Sequence, residues 1–287
     1  MLADPSDIAL AAAFAALTLF ALVRNRVGVP VPVAIYVPYL WAFFLVFTLS
    51  ELVAPAAGIW VLAVLSFLAL REYFTLADLR IQDRWGMLAA YLAIPFMFWF
   101  IQIDWYGMFI VSIPVYAFLV VPFVVTLGRE VEGTVLSIGL IDLGLFLLVY
   151  CIGHIGYLAF YATWMAVLLV LMVTACDLSS YVFRARDRAP LRSAAYQLLA
   201  PAPVTVALGL ALMPWTGIPW HHSVVLALLI PALVAMGCQT IDRIEADLGI
   251  RRDRLVPGRG QVLNSLKSFL YAAPVAFHYL RYVLEAF

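Results

Sequence analysis

Two hydrophilic stretches of this chain carry nearly all the residue types that could handle a phosphate. The first, 175–199, reads ACDLSSYVFRARDRAPLRSAAYQLL. Asp177 stands at the end of an apolar run, Tyr181 follows one helical turn later, and Arg184, Arg186, Arg188 and Arg192 come after it. The second, 237–268, reads GCQTIDRIEADLGIRRDRLVPGRGQVLNSLKS. Its first part is helical in pattern, with Asp242 and Glu245 three apart and Arg243 beside them on one solvated face. Then come Arg251, Arg252, Asp253 and Arg254, and then the turn Pro257-Gly258-Arg259-Gly260. Such a turn can present backbone N–H groups and a guanidinium to a phosphate. The competing reading is plain: basic loops resting on anionic lipid headgroups, each Arg contributing about 1 kcal/mol there.

Other polar residues read more simply. His154 and His278 each stand alone on an apolar helix and are expected to be packed or interfacial, while His221–His222 follow Trp220 in an interfacial belt. Asp142 lies inside an apolar run, so it must face protein or water, as a proton relay or a structural hydrogen-bonding group. Cys151, Cys176 and Cys238 show neither a CxxC nor a loop-borne framework and read as small buried hydrophobes.

The elements that must position these groups follow from composition. Of 287 residues, 66% are apolar and 12% charged, with a mean hydropathy of +1.03. Soluble domains are about 45–50% apolar and about 25% charged. That excludes an ordinary soluble protein, a disordered chain and a nucleic-acid binder with a basic face. A helix needs about 20 residues to cross the hydrocarbon core. Candidate runs fall at 8–23, 33–53, 55–70, 86–103, 106–128, 135–155, 157–176, 198–214, 222–238 and 265–284. The fold class expected is therefore all-α: a polytopic bundle of about ten transmembrane helices. The first run is not a cleaved signal, since Asp4 and Asp7 precede it and Arg24 and Arg26 follow it. Alternate loops then collect 16 of the 17 basic residues, Arg281 being the exception. By the positive-inside rule those loops are cytoplasmic and the N-terminus is outside. The interior prolines Pro95, Pro114, Pro122, Pro203, Pro231 and Pro274 are candidate kinks.

With these segments in place, the chain resembles the bacterial phosphatidate cytidylyltransferases, the CDP-diacylglycerol synthases. The likeness is carried by SFLALREYF (66–74), WYGMFIVSIPVYAFL (105–119), VYCIGHIGYL (149–158), DLSSYVF (177–183), DLGIRRDRLVPGRG (247–260) and SFLYAAPVAFHYLRY (268–282). It implies an enzyme of phospholipid biosynthesis in the cell inner (cytoplasmic) membrane, converting CTP and phosphatidic acid to CDP-diacylglycerol and pyrophosphate. It implies N-terminal helices over 1–130, and C-terminal helices over 131–287 whose loops 177–197 and 239–264 form the active-site region. Mg²⁺ is implied as cofactor, with Asp177, Asp253 and Asn264 as its ligands and Asp177 and Asp253 as catalytic groups. Tyr181, Arg251, Arg252, Gly258, Arg259 and Gly260 are the implied phosphate-binding set. Phosphatidic acid or another anionic lipid, and CTP for an active enzyme, are the implied partners; a homodimer is admissible and nucleic acid is not expected.

Several chemistry-bearing positions depart from the family signature. Glu245 and Ala246 stand where it has Lys-Arg, Gly237–Cys238 where it has Gly-Asp, and Gly260–Gln261 where it has Gly-Gly. Asn264 and Lys267 stand where it has aspartates, and Arg184 where it has a glycine. Its Ser-Pro-x-Lys-Thr stretch reads Ala200 to Val204. Three readings follow: a working cytidylyltransferase with a rearranged site, a catalytically inactive paralogue that acts as partner, regulator or anionic-lipid binder, and a lipid or solute transporter.

Overall fold

A computed structural model describes residues 53–77, 79–128, 130–186, 200–249 and 260–284, with isolated positions between 12 and 47. Among the described residues there are helices and turns but no strand. We number the helices α1 (Pro55–Leu76), α2 (Arg84–Gln102), α3 (Tyr106–Thr126), α4 (Thr134–Tyr161), α5 (Thr163–Arg186), α6 (Ala202–Ala211), α7 (Trp220–Asp247), α8 (Gln261–Leu270) and α9 (Ala272–Leu284). Six helices among the described residues are long and apolar enough to cross a membrane: α1 to α5 and α7. The chain is an all-helical membrane protein.

The runs expected at 8–23 and 33–53 lie outside the described residues, apart from isolated positions. Three later expectations need correction. Of the run at 198–214, the described residues form the ten-residue α6 and the start of a four-residue helix Met213–Thr216, neither long enough to span as one straight helix. The last run breaks at Tyr271 into α8 and α9. The boundary expected near residue 156 lies at Ala162, which is extended between α4 and α5. Gly153 and Gly156 do not end a helix. Their missing side chains admit Met97 and Phe109 at Gly153, and Phe98 at Gly156, so α2 and α3 press close against α4.

The prolines divide in the same way. Pro95, Pro114, Pro122 and Pro231 lie inside helices, whereas Pro203 sits in the first turn of α6, where its missing N–H costs nothing. Pro274 is the third residue of α9. Around Pro114 the register of α3 widens to π over Ser112–Ala117, as proline cannot donate to the ladder. α4 has a second π segment at Phe146–Tyr150, where the Ser66 hydroxyl of α1 donates to the Leu148 carbonyl. Without water in hydrocarbon, such a carbonyl needs a partner from the protein. Between α6 and α7, Thr205 Oγ1 donates to the Ala227 carbonyl at 2.8 Å.

Polar contacts sort the bundle into two ends. At one, Arg80 donates to the buried carboxylate of Asp83, with Nη2–Oδ1 at 2.8 Å, and to the carbonyls of Glu130 and Glu132, while Ser137 Oγ donates to Asp83 at 2.5 Å. The Asp83 bond holds the Arg80 pKa above its ordinary value. This network locks the end of α3 and the start of α4 against α2. At the other end, Asp104, at φ +54°, accepts the hydroxyls of Tyr157 (2.8 Å) and Tyr161 (2.5 Å). Beside it Arg281 lies over the Tyr106 ring, 3.3 Å from its centroid.

Candidate functional site

The first of those ends also holds the C-termini of α1, α5 and α7 and the N-terminus of α8. Gly260 caps α8 at φ +88°, a left-handed conformation that favours glycine, and it is buried. Pro257, Gly258 and Arg259 of the turn expected to meet a phosphate lie outside the described residues. The N–H groups that follow Gly260 are taken. Glu72, 4% exposed near the end of α1, accepts Gln261 N on Oε1 at 3.1 Å, and Val262 N and Leu263 N on Oε2 at 2.7 and 3.0 Å. The carboxylate meets both the orphan donors and the positive end of the helix dipole. Sequence reasoning missed Glu72. The available signal was a carboxylate close to the end of an apolar span, which must find a partner.

One turn further along α8, the Lys267 ammonium donates to Asp242 Oδ1 on α7 at 2.9 Å and to Asn264 Oδ1 at 2.6 Å. Its side chain is 13% exposed and that of Asp242 is 33% exposed, so the ion pair is sheltered more on the lysine side. Close packing of α7 on α8 brings these groups together. A Cβ on Gly237 would stand 2.7 Å from the Lys267 carbonyl oxygen, and Cys238 Sγ lies 3.4 Å from Ser268 Oγ. α5 packs on both α7 and α8, which puts the Asp177 half of α5 beside this cluster. Glu245, one turn below Asp242, is 1% exposed.

Of the residues expected at the site, Asp177, Gly260 and Asn264 are therefore found at one end of the bundle, and the backbone places Tyr181 on α5. Arg251, Arg252, Asp253, Gly258 and Arg259 lie outside the described residues. Among the described residues no group of three or more His, Cys, Asp or Glu side chains is arranged to hold a metal. Asn264 does not fit a magnesium ligand as it stands, because its oxygen already accepts an ammonium, whose charge would repel a divalent ion. Of the three implied ligands that leaves Asp177 alone among the described residues.

His154 is packed, as expected, but it and His278 do not each stand alone. His154 is fully buried, and its Nδ1 donates to the Tyr150 carbonyl at 2.8 Å. Its ring lies 5.3 Å, centroid to centroid, from His278 on α9 and 4.9 Å from Phe109. At the far end His222 Nδ1 is 3.0 Å from the Tyr279 hydroxyl. Asp142 is half-buried on α4, and its Oδ1 has no hydrogen-bond partner among the described residues.

The fold and these contacts define an all-helical membrane protein with a charged cluster at one end. No family model matches the chain, and no solved structure matches it. Over 236 residues, 77% of this chain and 78% of the relative, it is 26% identical to the uncharacterized protein YnbB of Escherichia coli (strain K12).

Proposed function

We propose that this chain is a phosphatidate cytidylyltransferase-like protein of the inner (cytoplasmic) membrane that holds an anionic glycerophospholipid headgroup where α5, α7 and α8 meet, and that it does not transfer a cytidylyl group. Phosphatidic acid is the headgroup expected first. The observation that carries the reading is the Lys267 ammonium bonded to Asp242 and Asn264. Nucleotidyl transfer sets a phosphate nucleophile against a triphosphate, and a divalent ion held by carboxylates must lie between them. Here an oxygen from the expected ligand set is spent on the chain's own lysine. The arginines of 251–259, joined in sequence to the end of α7 and the start of α8, supply positive charge for a lipid phosphate.

The test uses purified full-length protein in detergent with dioctanoyl phosphatidic acid. The lipid should raise the unfolding midpoint, while dioctanoyl phosphatidylcholine should not. With CTP and Mg²⁺ added, no CDP-lipid should form, under conditions where an authentic bacterial phosphatidate cytidylyltransferase turns over. CDP-lipid formation would overturn the non-catalytic reading and make CTP a substrate. Equal response to the two lipids would overturn the headgroup reading.

A further inference from the structure

The charge arrangement around Lys267 carries one step more. A lysine ammonium that donates to a carboxylate of one helix and an amide oxygen of another does the electrostatic work of a bound cation. It neutralises Asp242, joins α7 to α8, and cannot dissociate. Unlike a metal, it offers no open coordination position to a phosphate oxygen. We propose that Lys267 is the resident cation of the pocket between α7 and α8. Anion binding there then needs no divalent metal, and Lys267→Asp turns the same pocket into a divalent-cation site. The lipid half of this inference rests on the headgroup reading above; the metal half stands without it.

The geometry supports the conversion. Asp242 and Asn264 already direct oxygens to one point, 2.9 and 2.6 Å from the Nζ atom. Asp177 stands on α5, which packs on both α7 and α8. Replacing the ammonium with a third oxygen donor removes the repelling charge and adds a hard ligand of the kind Mg²⁺ and Mn²⁺ prefer. Gly237 keeps the two helix backbones in contact whichever side chain stands at 267.

Two titrations on the full-length protein decide it. In the first, wild-type protein binds dioctanoyl phosphatidic acid with affinities within about twofold in Mg²⁺ and in EDTA. A loss of about tenfold or more in EDTA would overturn the inference. In the second, Mn²⁺ is titrated alone and followed by electron paramagnetic resonance. Wild-type protein should show no site that Asp242→Asn removes, while Lys267→Asp should bind about one Mn²⁺ at least about tenfold more tightly. A wild-type site abolished by Asp242→Asn, or no gain in folded Lys267→Asp, would overturn it. If Lys267→Asp fails to fold, Lys267→Ala takes its place: Mn²⁺ should raise its unfolding midpoint and leave that of wild type unchanged, and no rise would overturn the inference. Absence of any phosphatidic acid binding would sink the proposed function, while the Mn²⁺ titration would still decide the metal half.

Discussion

Glu72 and Val262 are 190 residues apart in sequence, and the carboxylate of the first accepts the backbone N–H of the second at 2.7 Å. This bond and its neighbours to Gln261 and Leu263 fix the start of α8 on the end of α1. The anion at that helix N-terminus belongs to the protein itself. Glu72→Ala leaves three donors unmet in a buried place and should destabilise the fold by about 3 kcal/mol. Glu72→Gln keeps one acceptor oxygen and should cost less. Thermal unfolding of the purified variants in detergent checks the order, and equal midpoints for Glu72→Ala and wild type would contradict it.

Gly237 and Gly153 both admit close neighbours, but of different kinds. At Gly237 the obstacle to a Cβ is the Lys267 backbone carbonyl at 2.7 Å; at Gly153 the first obstacle is the Met97 methyl, the far end of a flexible side chain. Gly237→Ala should therefore force α7 from α8 and cost about 1–3 kcal/mol, whereas Met97 can swing aside and Gly153→Ala should cost less. Paired unfolding measurements decide it. The same shift should loosen the Lys267–Asp242 bond, so Gly237→Ala should also weaken phosphatidic acid binding if the lipid reading holds.

For Asp142 the expected sign is unusual. A buried carboxylate oxygen with no partner among the described residues is a liability inside a span, and an aspartate at a helix centre costs about 2.5–3.5 kcal/mol on insertion scales. Asp142→Asn removes the charge and keeps the size, so it should leave stability unchanged or raise it. A clear loss of stability would mean that the carboxylate itself holds something, and proton uptake by reconstituted protein should then be measured.

Topology is tested by labelling. Glu132 and Ile103 are both exposed, one at the end that holds Arg80 and the other beside Asp104. Glu132→Cys should react with a membrane-impermeant maleimide only from the cytoplasmic side, and Ile103→Cys only from outside. The native cysteines Cys151 and Cys176 are buried and should give little background, and the partly exposed Cys238 is replaced by Ser in both variants. The reverse pattern would invert the orientation and remove the headgroup site from the cytoplasmic leaflet.

The apolar runs of the sequence are enough to establish a helical membrane protein, since hydrocarbon admits helices with their backbones internally bonded and a span has a minimum length. The grouping of Asp177, Asn264 and Lys267 near one end was legible because short connections bring alternate runs back to the same end. Helix boundaries at Ala162 and Tyr271 were not legible. The expected runs divide at Gly156, yet Gly153 and Gly156 serve close packing against α2 and α3. Nor could sequence pair Glu72 with Val262, Lys267 with Asp242, or His154 with His278. In a span that is apolar all round, periodicity does not say which side faces protein or which helices are neighbours. Those choices are made by packing between segments far apart in the chain. They determine that a lysine of the protein itself sits on Asn264, where an outside cation was expected, and that a glutamate of the protein itself meets the start of α8.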